Sequence, residues 1–141
     1  MLPGPPAAGW RSDRRMRPRS PTVVLADDHP FYREGLARML RESGIDVIAA
    51  VPNGEAAIRA AEATAPDVVL MDLSMPGLSG VEATRRLIER VPTTRVIVLS
   101  VSAQEADVAD AMRAGASDYA LKEWSVEEII AVVQATAVRN T

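Results

Sequence analysis

The sequence predicts an α/β fold in which helices cover both faces of a doubly wound parallel sheet. From Thr22 onward, short β-branched apolar runs alternate with amphipathic stretches, and five such pairs follow one another. Most of these runs are apolar throughout rather than at alternate positions, which is typical of strands buried on both faces. Short connections and right-handed crossovers then favour a five-stranded parallel sheet with helices on each side.

Each predicted element has its own local signal. Apolar, β-branched residues predict strands at Thr22–Ala26, Ile45–Val51, Val68–Met71, Arg95–Ser100 and Ser117–Leu121. Amphipathic spacing predicts helices at Phe31–Glu42, Glu55–Ala63, Gly80–Arg90, Ala106–Arg113 and Val126–Val138. Gly44 and Gly115 are expected to end helices, and Ser125 with Glu128 reads as a capping box at the start of the last one.

The second strand is less apolar than the first and third, so we place it at the edge of the sheet. The predicted strand order is therefore 2-1-3-4-5. In such sheets a ligand lies where the strand order reverses, which here is between the first and third strands. This topology predicts the place of a binding site before any of its residues is considered.

Length and composition indicate one domain with a largely aliphatic core. The chain has 141 residues, 48% hydrophobic and 4% aromatic, which suits about one domain. Because cysteine is absent and histidine occurs once, disulfides and thiolate metal sites are excluded and a histidine-rich zinc site is not expected. No apolar run approaches the roughly 20 residues of a membrane span, and no signal peptide is evident. We therefore expect a soluble, cytoplasmic protein without a membrane partner.

Residues 1–21 differ in composition from the rest of the chain. They contain five prolines and five arginines against a single aspartate, a net charge of plus 4, so the remainder carries minus 7. This composition predicts a disordered basic arm over residues 1–21 and a folded domain over residues 22–141. The acidic folded part would repel nucleic acid, and the arm alone would give only weak, salt-sensitive binding.

Charged residues follow three of the predicted strands. The pair Asp27-Asp28 follows the first strand, Asp72 follows the third, and Lys122, the only lysine in the chain, follows the fifth. Because the carboxyl ends of parallel strands emerge at one edge of a sheet, these side chains are expected to converge there. Carboxylates that repel one another favour a bound cation, and Mg²⁺ prefers such oxygen ligands. The pattern predicts a site for a divalent metal and a phosphoryl group.

Four segments at the ends of predicted strands resemble the receiver domain of bacterial response regulators. They are Asp27-Asp28-His29-Pro30, Asp72 to Gly80, Val98-Leu99-Ser100 and Gly115 to Lys122. The resemblance runs from about Thr22 to Val138 and implies a flavodoxin-like fold. Many receivers have a proline after the lysine, whereas Glu123 stands here. In having Glu123 rather than proline after the lysine, the sequence resembles the subfamily whose receiver precedes a LuxR-type helix-turn-helix.

The resemblance implies that a sensor histidine kinase transfers a phosphoryl group from its phosphohistidine onto Asp72. It also implies a Mg²⁺ site in which Asp28 binds the metal directly and Asp27 acts largely through water. Asp72 and the backbone carbonyl of Ser74 would supply further oxygens. The chain would not be an enzyme in the ordinary sense, because it would catalyse only its own phosphorylation and dephosphorylation.

Three further matches concern the response to phosphorylation. Ser100 matches the hydroxyl residue, and Lys122 the lysine, that contact the phosphoryl group in the family. Ser100 and Tyr119 together match the pair whose side chains change position when the domain switches. We expect Ser100 to move toward the phosphoryl group and the Tyr119 ring to fill the space that it leaves.

The implied partners are a sensor histidine kinase and a possible second copy of the chain. DNA would be contacted only through an output domain that this sequence does not contain. Control of transcription is therefore expected if the sequence is part of a longer regulator, which we favour over a stand-alone receiver. The runner-up is a dimerisation or interaction module that works without phosphorylation, although such a module would need neither the acid cluster nor Lys122.

Two residues near the predicted site are assigned structural roles. His29 follows the acidic pair and precedes Pro30, so it is expected to shape the turn rather than to take part in chemistry. Trp124 is expected to be a loop aromatic that packs on a neighbouring element.

A phosphatase with an aspartyl nucleophile would need a second aspartate two residues after the first, where Ser74 stands instead.

Overall fold

The computed structural model describes residues 20–139, the side chain of Arg139 excepted. Residues 1–19, and with them nearly all of the predicted basic arm, lie outside the described residues. The strands are β1 (Thr22–Ala26), β2 (Asp46–Val51), β3 (Val68–Asp72), β4 (Arg95–Ser100) and β5 (Asp118–Leu121). The helices are α1 (Pro30–Glu42), α2 (Gly54–Thr64), α3 (Gly80–Arg90), α4 (Ala106–Ala114) and α5 (Val126–Arg139). None of these described helices has the length and apolar character needed to cross a membrane.

The five strands form one parallel sheet in the order β2-β1-β3-β4-β5, which confirms the predicted topology. The register aligns the strand ends that matter for the site. Ala26 of β1 pairs with Met71 of β3, and Asp72 of β3 pairs with Leu99 of β4. The residues that follow these strands therefore emerge side by side at the carboxyl edge, where the strand order reverses.

Both faces of the sheet are covered by helices. Alternate residues of the central strands contribute to two cores, so that Val69 and Met71 pack against α2, α3 and α4. Val68 and Leu70 face the other way, toward α1 and α5. All four side chains are fully buried, and each such burial contributes roughly 1.5 to 3 kcal/mol relative to exposure. Burial on both faces explains why these strands are apolar at every position.

The end of α1 explains one wrong strand boundary. The apolar run predicts that β2 begins at Ile45, but the strand begins at Asp46. Gly44 has a φ of 92° and its N–H donates to Arg41 O, while the Ile45 N–H donates to Leu40 O at 3.0 Å. This is the paired pattern that closes a helix on a left-handed glycine. Ile45 belongs to the helix cap because its N–H is already used there.

The start of α5 bears out the predicted capping box. The Glu128 N–H donates to Ser125 Oγ at 3.2 Å, and the Ser125 N–H donates to Glu128 Oε1 at 2.9 Å. Two N–H groups at the helix start are thereby satisfied. The cap fixes where α5 begins, with four residues between it and β5, directly after the loop that carries Lys122.

Candidate functional site

Acidic side chains gather at the carboxyl edge of β1 and β3. Asp27 follows β1 directly and Asp72 is the last residue of β3, and both are buried. Asp28 is partly exposed, with 29% of its side chain accessible. Carboxylate oxygens of these three residues and a ring nitrogen of His29 lie within 4.8 Å of one another. The structure therefore brings together the acidic residues that the strand ends predicted.

Lys122 lies between two of these carboxylates. Its Nζ is 2.8 Å from Asp27 Oδ2 and 3.2 Å from Asp72 Oδ2, and its side chain is 14% exposed. The Lys122 N–H donates to Ser100 O at 2.8 Å, which fixes the backbone where β5 ends. The same Nζ lies 4.9 Å from the centre of the Tyr32 ring on α1. The ammonium is held by three different elements of the fold.

The two partners of this contact have perturbed pKa values. Burial raises the pKa of Asp72, and the charge of Asp27 adds to this, whereas the Ser74 N–H and Lys122 act in the opposite direction. Burial lowers the pKa of Lys122, but the close contact with Asp27 and the charge of Asp72 outweigh it, so that the pKa is raised overall. Lys122 is therefore firmly protonated.

Tyr32 responds to the same charges. Burial, followed by the negative charges of Asp27 and Asp72, raises the pKa of its phenol to about 12. Its hydroxyl is buried and makes no hydrogen bond in the structure. Sequence reasoning missed this residue, because nothing in the amphipathic pattern of α1 shows that one aromatic position lies beneath the lysine.

The oxygens at this edge fit a hard divalent cation. Asp27 Oδ2 and Asp28 Oδ1 are buried and make no hydrogen bond. Asp27 Oδ2 lies 2.8 Å from the charged Lys122 Nζ, and Asp28 Oδ1 lies 3.2 Å from His29 Nδ1. Buried carboxylate oxygens without hydrogen bonds are costly, and Mg²⁺ is bound through carboxylate and carbonyl oxygens. The donor set therefore suits that ion.

Ser74 is placed next to this cluster by the turn after β3. Its N–H donates to Asp72 Oδ1 at 3.0 Å, which bends the backbone back toward the carboxylate. Gly80 then begins α3, and a Cβ on it would stand 2.6 Å from Asp72 O and 2.8 Å from Leu73 Cα. Only glycine allows the helix to pack this closely against the end of β3.

Ser100 ends β4 at the same edge but its hydroxyl is engaged within its own loop. Ser100 Oγ lies 2.7 Å from Glu105 Oε2 and 2.8 Å from Ser102 O, and it accepts the Ser102 N–H at 3.1 Å. Ser100 is 1% exposed. Glu105 was missed by sequence reasoning. In the sequence it is an acidic residue five positions after Ser100 and directly before α4, and that spacing alone does not reveal the contact.

Tyr119 lies on β5, opposite Val98 of the neighbouring strand. It is half-buried at the edge of the core formed with α2, α3 and α4. Its ring centre is 6.2 Å from that of Trp124, with the planes inclined at 41°. Trp124 itself packs on the other core, beside α1 and α5, as expected for a loop aromatic. Ser100 and Tyr119 thus stand on adjacent strands.

His29 lies closer to the acidic pair than a turn residue needs to. Its N–H donates to Asp27 Oδ1 at 2.9 Å, which agrees with a role in shaping the turn. Its ring Nδ1 also lies 3.2 Å from Asp27 Oδ1 and from Asp28 Oδ1. The ring is 63% exposed. The contact of the imidazole with both carboxylates could not be anticipated from its place beside Pro30.

A doubly wound parallel sheet with carboxylates and a buried lysine at its switch point defines a receiver-type signalling domain. A family model of the response regulator receiver domain matches residues 23–134. The chain is 43% identical over 116 residues to the transcriptional regulatory protein DegU of Brevibacillus brevis, covering 82% of this chain and 49% of that protein. The chain belongs to the response regulator receiver domain family of two-component signalling.

Solved structures agree with this assignment. A two-component response regulator of the LuxR family from Aurantimonas sp. SI85-9A1 has a TM-score of 0.79 at 33% identity, covering 85% of this chain and 86% of that one. The receiver domain of the sensor histidine kinase PA1611 from Pseudomonas aeruginosa PAO1 has magnesium coordinated in its active site cleft. Its TM-score is 0.75 at 28% identity, covering 84% of this chain and 98% of that one. The resemblance to receivers of LuxR-type regulators is confirmed.

The chain spans about half the length of the curated relatives it matches. The activity of the whole relative therefore involves a part of its chain that this match does not cover.

Proposed function

We propose that Asp72 accepts a phosphoryl group from a sensor histidine kinase in the presence of Mg²⁺, and that this switches a surface of the domain. The observation that carries the proposal is the position of Lys122 Nζ, which is 2.8 Å from Asp27 and 3.2 Å from Asp72 in a largely buried setting. A buried lysine between two carboxylates of neighbouring strands is expensive to maintain for structure alone. It suits a site that must receive further negative charge.

The residues that would hold Mg²⁺ are Asp27, Asp28, Asp72 and the backbone carbonyl of Ser74. The buried oxygens of Asp27 and Asp28 that make no hydrogen bond support this assignment. Asp28 is the most accessible of the three carboxylates, which suits a direct ligand that also meets water. When bound, the ion would neutralise the carboxylates and the oxygens of an incoming phosphoryl group.

The chain's own groups have distinct roles in the transfer. A carboxylate oxygen of Asp72 attacks phosphorus, an O–P bond forms, and the bond from phosphorus to the donor nitrogen breaks, leaving the electron pair on that nitrogen. Lys122 stays protonated because its pKa is raised, and it neutralises charge on the transferred oxygens. Burial raises the pKa of Asp72, and the Ser74 N–H opposes this and so favours the ionised nucleophile.

Phosphorylation replaces the single negative charge of the Asp72 carboxylate with the roughly 1.5 to 2 charges of a phosphoryl group and adds acceptor oxygens at this strand end. The Ser100 hydroxyl then turns toward the phosphoryl oxygens, and the Tyr119 ring moves into the space beside β4. The change reaches the surface formed by α4, β5 and α5 and alters its shape for a partner. In a longer regulator of the LuxR type this controls transcription, and DNA is contacted only by the output domain.

The proposal also includes the extent of the receiver, its location in the cell and the reactions that it catalyses. Residues 22–141 form the receiver and residues 1–21 a basic arm outside it, in a cytoplasmic protein. The domain catalyses only its own phosphorylation and dephosphorylation. The agreement of residues 23–134 with the family model supports the extent of the receiver.

Intact mass measures the proposed reaction. The wild type is incubated with acetyl phosphate and Mg²⁺, in parallel with Asp72→Asn and with a sample that contains a chelator. We expect a gain of one phosphoryl group in the wild type alone. Uptake by Asp72→Asn at the same rate would disprove the assignment of the acceptor. No uptake from any donor, a cognate kinase included, would favour the phosphorylation-independent interaction module instead.

A further inference from the structure

Ser100, which is expected to contact the phosphoryl group, is hydrogen bonded to a carboxylate elsewhere. Its Oγ lies 2.7 Å from Glu105 Oε2 and 2.8 Å from Ser102 O. A hydroxyl has one hydrogen to donate. Bonds to a charged acceptor are the stronger ones, so the Glu105 carboxylate is the preferred partner. The hydroxyl is committed before any phosphoryl group arrives.

Glu105 makes this contact from an unusual position. It is the N-cap residue of α4, a position where the short side chains of Ser, Thr, Asp and Asn accept an N–H from the first turn. Its side chain makes no capping hydrogen bond. Instead the carboxylate reaches back across the loop to the end of β4. Glu105 therefore serves Ser100 rather than its own helix.

We propose that Glu105 is a positioning residue that competes with the phosphoryl group for the Ser100 hydroxyl, and so restrains the switch until Asp72 is phosphorylated. The proposal rests on the proposed phosphorylation of Asp72. Carboxylate and phosphoryl oxygens are both anionic acceptors. The hydrogen bonds that the Ser100 hydroxyl makes to either of them are therefore similar in free energy. The charge on Glu105 then determines how readily Ser100 leaves.

The same bond connects the switch to α4. The Glu105 carbonyl accepts the Val108 N–H at 3.1 Å, and the Glu105 N–H donates to Ser102 O at 3.4 Å. The Ser100–Glu105 bond joins the end of β4 to the start of α4 through side chains, whereas the other two bonds are between backbone groups. It is lost when Ser100 turns away. The start of α4 is then free to move with the loop. This gives a physical route from the phosphoryl group to the helix.

The test measures the rate of phosphoryl uptake from acetyl phosphate at a concentration well below saturation, by intact mass. Glu105→Ala removes the charged acceptor and leaves the neutral Ser102 carbonyl as the weaker partner of the hydroxyl. It is expected to react about tenfold faster than the wild type. Glu105→Gln keeps a neutral acceptor and should lie between the two. Gln104→Ala, an exposed neighbour on the same loop, is the matched control and should leave the rate unchanged.

The effect must depend on Ser100. In a Ser100→Ala background, Glu105→Ala should change the rate less than twofold, because there is no hydroxyl left to release. A merely structural role of Glu105 would speed or slow the reaction equally in both backgrounds. The wild type, Glu105→Ala, Ser100→Ala and the double variant form a double-mutant cycle when their unphosphorylated forms are unfolded in urea. We expect coupling equivalent to about tenfold in the unfolding equilibrium constant.

The outcomes separate this inference from the proposed function. Absence of phosphoryl uptake by the wild type would overturn the proposed function, and this inference with it. Uptake by the wild type with an unchanged rate in Glu105→Ala would overturn the role of Glu105 alone. So would a urea cycle without coupling between Ser100 and Glu105.

Discussion

Lys122 donates a hydrogen bond of 3.2 Å to Asp72 from a position 50 residues later in the chain. The two residues come from the ends of β5 and β3, which are separated in the sheet by β4. The lysine side chain therefore reaches across the end of β4 to the central carboxylates. This is where positive charge is needed if Asp72 receives a phosphoryl group.

Replacing Lys122 with alanine should slow phosphorylation of Asp72 about 100- to 1000-fold, because a preorganised charge at the reacting group is lost. The rate is measured by intact mass with acetyl phosphate and Mg²⁺. Arg113→Ala is the control, since this exposed cation of α4 pairs with Asp110 away from the site. A Lys122→Ala rate within about threefold of the wild type would contradict the assigned role.

The strand ends could be predicted because simple rules govern them. Continuous apolar runs locate β1 and β3, and parallel topology then places Asp27 and Asp72 at one edge. Ile45 was assigned wrongly because an apolar residue that closes a helix looks the same in sequence as the first residue of a strand. The bond from Ser100 to Glu105 depends on the path of the intervening loop, and no residue pattern specifies that path.

Mg²⁺ should raise the thermal stability of the protein, because an ion that binds only the folded state stabilises it by mass action. At about 100 times the dissociation constant this amounts to roughly 2.7 kcal/mol. Asp28→Asn should lose most of this effect by removing one ligand. Glu34→Gln, an exposed residue on α1, should retain it. Equal midpoint shifts in wild type and Asp28→Asn would remove Asp28 from the metal site.

Gly80→Ala should destabilise the protein by roughly 1 to 3 kcal/mol, because the added Cβ would meet Asp72 O at 2.6 Å and force the backbone to shift. Gly35→Ala is the matched substitution. Gly35 is exposed within α1 and nothing lies within 4 Å of its added Cβ. Alanine there should stabilise by roughly 0.5 to 1 kcal/mol. Urea unfolding measures both, and the same sign for the two would refute the argument.

Glu82 should titrate below the ordinary range of a glutamate. Hydrogen bonds from Arg86 and then Arg85 lower the pKa of its carboxyl group, with contacts of 3.3 and 2.5 Å. The pKa of Glu82 is lower in the folded state than in the unfolded state. Its contribution to the stability of the fold is therefore present above the unfolded-state pKa and is lost as pH falls through the folded-state pKa. It should be small and should weaken with salt, as for other surface pairs.

The carboxyl chemical shift of Glu82, followed by NMR during acid titration, measures this pKa directly. Arg86→Gln removes the largest contribution and should move the midpoint upward. Arg38→Gln, whose partner is Glu42 on α1, is the control and should leave it unchanged. A midpoint that does not respond to Arg86→Gln would show that the ion pair on α3 is not formed in solution.

The central claim, that Asp72 carries the phosphoryl group, is tested most directly by locating the modification. An aspartyl phosphate is an acyl phosphate, and borohydride reduces it to the corresponding alcohol, homoserine. After treatment with acetyl phosphate and Mg²⁺, reduction and proteolysis, peptide mass spectrometry should find homoserine at position 72. Homoserine at position 27 or 28 instead, or an unmodified peptide around Asp72 in protein that gained a phosphoryl group, would contradict the account.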